Sequence, residues 1–364
     1  MENQTAKRAR TDTNGTRDLK CWAVLGAKQP FTPYIASAPV SLKPRDVEVK
    51  VTHCGLCSLD VAIQDDEWHM GKFPDVPGHE IAGVVTAVGE RVRLVKVGDR
   101  VVVGFEGNSC GTCPDCISGD IQQCPERKTL GMDGNFGGFA ERVTVTEECV
   151  HRIPEGMSSA GAAPLLCIAN CVYASFVQYG LKPIDRVAVA GLGAIGQMAV
   201  RMAVKWGCHV TVVSTSPAKK TLALKLGASE FVHAKDENET KALAGKVDFM
   251  LVCYGGCECN TKADIHVSLA NDLVPMMRHG GKIIVLSVFS KPIEVPMFPL
   301  MMKRLTVAST GGGTHQDMEN MLKFCQRHNI EADIEVVPFS KVNDAIARWK
   351  RGDGPSRFVL EADS

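Results

Sequence analysis

The sequence predicts an α/β protein in which a β-rich part precedes a doubly wound parallel sheet. Between residues 21 and 160, short apolar runs end at Gly, Pro or Asp, which is typical of the strands of a small barrel. From residue 185 onward, buried-strand patterns alternate with helical patterns, which is typical of a parallel sheet covered by helices. The chain has 364 residues, more than one core usually supports, so two domains are expected.

The β-rich part contains strand patterns of two kinds. Residues 47–51 alternate apolar and polar side chains, the mark of a half-buried strand, whereas residues 81–88 form a nearly continuous apolar run. The same style continues from residue 92 to residue 103, with Gly98 and Asp99 in a turn. These segments favour a sheet over a helical layer.

The second part alternates strands with helices. Strands are predicted over residues 186–190, 210–213, 247–252 and 282–286. Helices are predicted over residues 197–206 and 217–226, with Pro217 in the first turn and Gly227 as the C-cap. From about residue 308 the pattern is mixed again, and helices are predicted over residues 318–328 and 341–351.

The composition excludes several classes of protein. The chain has 41 basic and 41 acidic residues, whereas nucleic-acid binders usually show a basic excess. Hydrophobic residues make up 45% of the chain, too many for a disordered protein. No run of about 18 apolar residues is present, so no membrane span is expected. Residues 1–18 are polar and lack the apolar core of a secretory signal, so we expect a disordered tail and a cytoplasmic protein.

The 15 cysteines do not indicate a disulfide scaffold, because such scaffolds are short secreted chains. Four of them follow the spacing C-x2-C-x2-C-x7-C, namely Cys110, Cys113, Cys116 and Cys124. Four thiolates form a closed tetrahedral zinc site, which is structural because no ligand position stays open. An iron–sulfur cluster is the alternative. Most other cysteines are expected to be buried, and Cys257 and Cys259 have no matching pair nearby.

A second candidate metal set combines Cys57, His79 and Cys167. His79 lies 22 residues after Cys57 and follows Gly78, a residue that lets backbone approach an ion closely. Each residue alone is unconvincing, since a lone cysteine is usually a buried hydrophobe. Together, two thiolates and one imidazole leave a zinc position open, which is the catalytic arrangement. An open zinc can polarise a carbonyl.

A glycine-rich turn follows the strand predicted at residues 186–190. It reads Gly191-Leu192-Gly193-Ala194-Ile195-Gly196 and leads into a predicted helix, the context in which GxGxxG binds a dinucleotide. The first glycine makes the turn, the second lets backbone approach a pyrophosphate, and the helix N-terminus attracts that pyrophosphate.

The residues after the next strand favour NADP(H) over NAD(H). An acidic residue about 20 positions on would bind the ribose hydroxyl of NAD, but residues 186–229 contain no Asp or Glu. The segment instead offers Ser214, Thr215, Ser216 and Lys219, whose hydroxyl and ammonium groups suit a 2′-phosphate.

Taken together, these residues resemble the zinc-dependent medium-chain alcohol dehydrogenases, and among them the cinnamyl-alcohol-dehydrogenase-like branch. The resemblance extends from about residue 21 to the C-terminus. It is carried by the two cysteine sets, by the glycine-rich turn with Ser214-Thr215-Ser216, and by the segments 55–57, 76–85, 96–101, 163–167, 321–325 and 358–360.

The resemblance implies a GroES-like catalytic domain, split in sequence between residues 19–166 and 308–364, and a Rossmann NADP-binding domain at residues 167–307. It implies two zinc ions per chain, with Glu80 as a transient ligand of the catalytic one. It also implies that Asp60 orients His79 and that Thr310 contacts the nicotinamide half of the coenzyme. Homodimers are usual in this family.

Two positions depart from the family pattern. Leu59 replaces the usual Ser or Thr two residues after the zinc cysteine, and Ala62 replaces a histidine. In the family these side chains carry the proton between zinc-bound alkoxide and solvent, which Leu and Ala cannot do. Ser58 is adjacent but is expected to point elsewhere.

Three functions follow as hypotheses. The leading one is an NADPH-dependent aldehyde reductase or alcohol dehydrogenase, acting on aromatic (cinnamyl) or medium aliphatic aldehydes, with a proton from water or another side chain. The second is reduction of a conjugated C=C or C=N bond, which the missing relay favours. The third is a non-catalytic NADPH-binding regulator, which the complete ligand set disfavours. Trp68 and Phe105 are candidates to line the substrate pocket, although burial in the core is the simpler role.

Overall fold

A computed structural model describes residues 15–69, 71–132, 134–254, 269–289 and 292–362. Most of the predicted tail, residues 1–14, lies outside this described part of the chain, as do Cys257 and Cys259. The last residues of the predicted tail, 16–18, belong to the first strand.

The described residues form the strands and helices that the sequence pattern predicts, together with several that it does not. The strands are β1 (Thr16–Ala23), β2 (Thr32–Pro39), β3 (Asp46–Leu56), β4 (Ile81–Val88), β5 (Arg100–Val103), β6 (Glu106–Asn108), β7 (Lys128–Thr129), β8 (Arg142–Thr146), β9 (Val150–Arg152), β10 (Arg186–Ala190), β11 (His209–Ser214), β12 (Glu230–His233), β13 (Val247–Val252), β14 (Met277–Val285), β15 (Thr306–Ser309), β16 (Ile334–Pro338) and β17 (Arg357–Glu361). The α-helices are α1 (Ser58–Asp65), α2 (Pro114–Ser118), α3 (Ser159–Ala162), α4 (Leu165–Gln178), α5 (Ala194–Trp206), α6 (Lys220–Lys225), α7 (Glu237–Ala242), α8 (Met297–Lys303), α9 (His315–His328) and α10 (Val342–Arg351).

The β-rich part is built around a mainly antiparallel sheet with the order β16-β17-β3-β4-β5-β9. Strand β8 also pairs with β3, along residues 46–50. The long strand β3 of this sheet pairs with β4, β8 and β17. Strand β17 comes from the end of the chain, so the C-terminal segment returns to the sheet that the N-terminal part begins. This sheet is the GroES-like domain that the resemblance implies.

The second sheet is parallel throughout and has the order β12-β11-β10-β13-β14-β15. In sequence terms this is the order 3-2-1-4-5-6 of a doubly wound dinucleotide-binding fold. The order reverses between β10 and β13, and ligands of such sheets bind outside the carboxyl ends of the strands at this point.

Strand burial explains why the parallel sheet has apolar runs. On β10, Val187 and Val189 pack into one core, and Ala188 and Ala190 pack into the core on the opposite face. A sheet covered by helices on both sides buries both faces, so its strands are apolar without alternation. A third core fills the GroES-like domain.

Several local features differ from the sequence prediction. Helix α1 interrupts a region expected to be all β, and α5 begins at Ala194, three residues before the predicted start. Pro217 begins a 3-10 turn that precedes α6, and Gly227 after that helix has the positive φ of a C-terminal glycine. Within the described residues, we find no helix that combines the length and apolar character needed to cross a membrane.

Candidate active site

Cys57 lies at the junction of β3 and α1, directly before the first helical residue. The Asp60 carboxylate fixes this junction, because its Oδ2 accepts a hydrogen bond from the Cys57 backbone N–H at 2.8 Å. Asp60 is fully buried. The first turn of α1 therefore holds the Cys57 thiol at a defined place.

Asp60 also orients His79. Its Oδ1 lies 3.4 Å from the His79 Nδ1 and accepts the Gly78 backbone N–H at 3.0 Å. A carboxylate beside Nδ1 leaves Nε2 as the nitrogen for a metal, the usual arrangement of a ligating histidine. The Phe105 ring packs edge-on against the imidazole at a centroid distance of 5.7 Å. These contacts agree with the predicted role of Asp60.

Cys167 lies on the first turn of α4, and its Sγ is 4.0 Å from the Cys57 Sγ. One ligand atom from each of Cys57, His79, Glu80 and Cys167 lies within 4.8 Å of the others. The contact between the thiols lowers the pKa of Cys57 well below its usual value and raises the pKa of Cys167. One of the two sulfurs is thus already favoured as a thiolate.

Glu80 is fully buried and its nearest cation is Arg357, which sequence reasoning missed. The Arg357 Nη2 lies 3.2 Å from Glu80 Oε1, and its Nη1 donates to the Leu56 carbonyl at 3.2 Å. Neither Glu80 oxygen accepts a hydrogen bond from the described residues. Burial raises the pKa of Glu80 to about 8, against the opposing effect of Arg357. A Cβ on Gly55 would overlap the Glu80 side chain, so Gly55 makes room for the carboxylate.

The donor set fits a zinc ion. Two thiolates and an imidazole are the borderline ligands that zinc prefers, and a nearby carboxylate without a hydrogen bond is an available oxygen donor. Such a set has three strong ligands and leaves room for a substrate oxygen.

One of the two positions of the absent proton relay lines a cavity. Ala62 faces a cavity that Trp68, Asp75 and Met132 also line. Trp68 and Phe105 are both half-buried, so neither is a simple core residue. The Ser58 Oγ lies 3.9 Å from the Cys57 Sγ, whereas the sequence argument expected this hydroxyl to point elsewhere. Ser58 is therefore the hydroxyl that the helix start brings to the ligand set.

Four further cysteines form a separate lobe around α2, namely Cys110, Cys113, Cys116 and Cys124. Their sulfurs share one cluster within 4.8 Å, and backbone N–H groups donate to three of them: Cys113 to Cys110 at 3.3 Å, Cys116 to Cys113 at 3.4 Å and Cys110 to Cys124 at 3.3 Å. Hydrogen bonds from the backbone N–H groups of Thr112 and Cys113 lower the pKa of Cys110 to about 6. These donors favour the thiolate of Cys110, whereas burial and the neighbouring thiols raise the pKa of Cys113 and Cys124. Four sulfurs gathered in one cluster are the donor set of a tetrahedral zinc site.

The glycine-rich turn lies between β10 and α5, at the sheet's switch point. Gly191 has a φ of 94°, and a Cβ there would lie 2.8 Å from the Tyr254 backbone nitrogen. A Cβ on Gly196 would overlap the Gly191 carbonyl, so the helix packs closely onto the turn. A Cβ on Gly193 would meet no atom within 4 Å. The space beside Gly193, at the helix N-terminus, fits a pyrophosphate.

The predicted 2′-phosphate residues lie beside this turn. Lys219 is partly buried, and its Nζ lies 3.4 Å from the Leu192 carbonyl in the glycine-rich turn. The Ser214 hydroxyl accepts the Ser216 N–H at 3.2 Å. The His233 Nε2 contacts the Thr215 carbonyl at 3.1 Å, a contact that sequence reasoning missed. The structure thus brings the predicted residues together around the end of β11.

Thr310 follows β15 in a loop tied to other parts of the site. Its Oγ1 donates to the Gly312 carbonyl at 2.9 Å. The Asn170 side chain, on the same helix as Cys167, accepts the Gly313 N–H at 3.0 Å. Gln122 of the four-cysteine lobe donates to the Gly313 carbonyl at 2.9 Å. Helix α4 and the lobe therefore both support the loop of Thr310.

A split β-domain with a thiolate–imidazole ligand set, joined to a dinucleotide-binding sheet, defines a metal-dependent dehydrogenase. A family model described as the alcohol dehydrogenase GroES-like domain matches residues 43–155, and one described as zinc-binding dehydrogenase matches residues 194–327. A probable mannitol dehydrogenase from Fragaria ananassa is 39% identical, covering 87% of this chain and 88% of that protein. The chain belongs to the zinc-binding alcohol dehydrogenases.

Further comparisons define the type of dehydrogenase. A cinnamyl alcohol dehydrogenase from Sorghum bicolor superposes with a TM-score of 0.86 at 35% identity, covering 94% of this chain and 97% of that one. A CAD from Helicobacter pylori complexed with NADP(H) gives 0.83 at 25% identity, covering 94% and 98%. Vomilenine reductase from Rauvolfia serpentina is 37% identical, covering 87% of each chain. The protein is an alcohol dehydrogenase of the cinnamyl and mannitol dehydrogenase type.

Proposed function

We propose that this enzyme interconverts alcohols and aldehydes with NADP(H) and a catalytic zinc ion, and acts mainly as an aldehyde reductase. The observation that carries the proposal is the cluster of Cys57, His79, Glu80 and Cys167, whose ligand atoms lie within 4.8 Å of one another. The proposal is also supported by the glycine-rich turn between β10 and α5, which leaves an open space beside Gly193 for a coenzyme.

The catalytic zinc would be held by Cys57, His79 and Cys167, with Glu80 as an alternate oxygen donor. When bound, it supplies a Lewis acid that polarises the substrate carbonyl. Asp60 keeps the His79 imidazole oriented, and Arg357 compensates the buried charge of Glu80. We propose a second, structural zinc in the four-cysteine lobe, because its four sulfurs leave no open position.

The proposed preference for NADP(H) over NAD(H) depends on the positive charge and the hydrogen-bond donors at the end of β11. Ser214, Ser216 and Lys219 offer hydroxyl and ammonium groups at the end of β11, and this stretch of chain has no carboxylate. The Helicobacter pylori relative is complexed with NADP(H). Thr310 would contact the nicotinamide half, since its loop is tied by Asn170 to the helix that carries Cys167.

The substrate class is aromatic or medium aliphatic aldehydes. The names of the relatives point to cinnamyl alcohols, and the half-buried rings of Trp68 and Phe105 lie beside the relay cavity and His79. Flat aromatic surfaces of this kind favour apolar, planar substrates. The proton would come from water or from the Ser58 hydroxyl near Cys57.

Reduction of a conjugated C=C or C=N bond is the second candidate. Leu59 and Ala62 cannot transfer a proton, and one relative is named a reductase, vomilenine reductase. A reaction that forms no alkoxide does not need the relay. The non-catalytic alternative is disfavoured because the relatives are named dehydrogenases and reductases.

We further propose a homodimer and a cytoplasmic location. The predicted domain boundaries at residues 166/167 and 307/308 fall inside α4 (Leu165–Gln178) and β15 (Thr306–Ser309), so each boundary is moved to the nearest end of that element. The surface of α8 exposes Met297 by 70%, Phe298 by 69% and Met301 by 64%, an apolar patch that suits a second copy. The described cysteines are unpaired, as expected for thiolate ligands in a reducing compartment.

One assay set distinguishes the two reactions. Purified protein is incubated with NADPH and saturated aldehydes, cinnamaldehyde-type enals or cyclic imines, and the products are identified by NMR. Alcohol products from saturated and conjugated aldehydes support the proposal, whereas products reduced only at C=C or C=N favour the second candidate. Cys167→Ser should abolish turnover. Cys171→Ser, one turn further along α4 and outside the ligand set, should preserve it.

A further inference from the structure

A third cluster of potential ligands lies outside the proposed active site. It consists of His151 on β9 and of His315 and Glu319, one helical turn apart, on α9. One ligand atom from each side chain lies within 4.8 Å of the others. None of these residues belongs to the coenzyme turn, the catalytic set or the four-cysteine lobe, so the proposed reaction leaves them unexplained.

The spacing of the cluster matches a shared cation. The His151 Nδ1 lies 3.2 Å from the Glu319 Oε1, and the two imidazole centroids are 4.4 Å apart with a tilt of 32°. Two ligands bound to one tetrahedral zinc at about 2.0–2.1 Å are themselves about 3.3 Å apart.

The surroundings orient one imidazole as a ligand and favour the neutral form of the other. The His315 Nδ1 lies 2.9 Å from the Glu148 carbonyl, to which it donates, and this leaves Nε2 as the basic nitrogen. A ligating histidine commonly donates its other ring N–H to a backbone carbonyl in this way. Burial lowers the pKa of His151, which also favours its neutral form.

The cluster is closed on one side and open on the other. The His151 side chain is 1% exposed, whereas the Glu319 side chain is 27% exposed. An ion could therefore enter along the Glu319 side and keep water as a further ligand. Two imidazoles and one carboxylate suit zinc and similar borderline cations, whereas calcium and magnesium prefer oxygen donors alone.

We propose that His151, His315 and Glu319 bind one divalent cation of the zinc class. The ion would join β9, in the GroES-like sheet, to α9, the helix that follows the loop of Thr310. It would thereby stabilise the contact between two segments that are far apart in sequence, in addition to the two thiolate sites.

The test is metal titration of the full chain with its thiolate sites already loaded with zinc. Added Co²⁺ should bind as one further equivalent with weak visible d–d bands and without the intense thiolate-to-cobalt charge transfer. His315→Gln and Glu319→Gln should each weaken this binding by tenfold or more. His328→Gln, at the other end of the same helix, is the matched control and should bind like the wild type.

A thermal readout accompanies the titration. Bound cation stabilises the folded state by mass action, so excess Co²⁺ should raise the Tm of the wild type and of His328→Gln, but not of His315→Gln. Glu319→Gln serves as the second variant because its side chain is partly exposed and its loss should spare folding. The proposal is overturned if the loaded wild type binds no further Co²⁺, or if both cluster variants bind it as the wild type does. Neither readout depends on enzyme activity, so failure of the proposed reaction leaves this result unaffected.

Discussion

At the scale of single residues, Lys219 is the side chain on which the proposed preference for NADP(H) depends most directly. Its Nζ lies 3.4 Å from the Leu192 carbonyl, and burial lowers its pKa. An ammonium group with few water contacts gains most from a phosphate partner, since charged hydrogen bonds contribute about 1.5–3 kcal/mol.

Lys219→Ala should therefore raise the KM for NADPH by about tenfold or more and leave the KM for NADH nearly unchanged. Steady-state kinetics with both coenzymes measures the effect. Lys225→Ala, at the end of the next helix, is the matched control and should alter neither value. An equal rise in KM for NADPH and NADH would show that Lys219 contacts a group that both coenzymes have, and not the 2′-phosphate.

Leu59 and Ala62 lead to a second residue-scale prediction. The double variant Leu59→Thr/Ala62→His restores a hydroxyl and an imidazole, and Ala62 already borders a cavity. General acid–base groups contribute roughly 10²–10⁴ in rate, so alcohol oxidation at neutral pH should accelerate by about tenfold or more. Stopped-flow measurement of NADPH formation checks this. Leu59→Ala is the control, and an unchanged rate in the double variant would mean that proton transfer already proceeds by another route.

The residues that the sequence predicted correctly are those with distinctive chemistry at short spacing. The four lobe cysteines lie together as their spacing predicts, and Asp60 lies beside His79. Arg357 was missed because an arginine on a strand has many uses, and only the pairing of β17 with β3 brings it to Glu80. Long-range pairing of this kind leaves no local pattern in the sequence.

At the scale of elements, the four-cysteine lobe and the loop of Thr310 form one supported unit. Gln122 donates to the Gly313 carbonyl at 2.9 Å, and the His315 N–H donates to the Gly119 carbonyl at 3.0 Å. The lobe thus restrains a loop that we place against the nicotinamide, although the two segments are far apart in sequence.

Gln122→Ala should raise the Kd for NADPH by about fivefold, the effect of one lost hydrogen bond of about 1 kcal/mol. Fluorescence titration of NADPH measures the change. Gln123→Ala is the matched control, since this exposed neighbour lies on the same short turn. If chelation of the lobe metal and Gln122→Ala both leave the Kd unchanged, the lobe does not support coenzyme binding.

The elements also show which patterns predict structure. The four central strands of the parallel sheet were predicted, because burial on both faces produces apolar runs such as those of β10 and β13. The two edge strands, β12 and β15, were missed. Helix α1 was missed, because eight residues carry little periodicity and its start depends on the Asp60 bond to Cys57. The start of α9 was placed late because capping by Thr314 adds a polar first turn.

At the scale of the whole molecule, helix α4 contributes both to the proposed metal site and to the support of the proposed coenzyme site. It carries Cys167 near its start and Asn170 on its next turn, so a metal ligand and a support of the Thr310 loop share one rigid element. The number of domains follows from length and pattern, but their contact does not, because no local motif encodes it. The surface of α8 is likewise visible only in the structure.

The exposed face of α8 leads to the last prediction, on assembly. Met297, Phe298, Met301 and Met302 are exposed by 56–70%, and single monomers rarely leave so many large apolar side chains together in water. If the proposed dimer forms through this face, Phe298→Asp/Met301→Glu should leave only monomer, because two charges buried without partners oppose association. Sedimentation velocity measures the mass. Ile184→Asp, at a large apolar residue that is 88% exposed elsewhere, is the control and should sediment like the wild type. A wild-type monomer, or a double variant that sediments as a dimer, would assign this face another role.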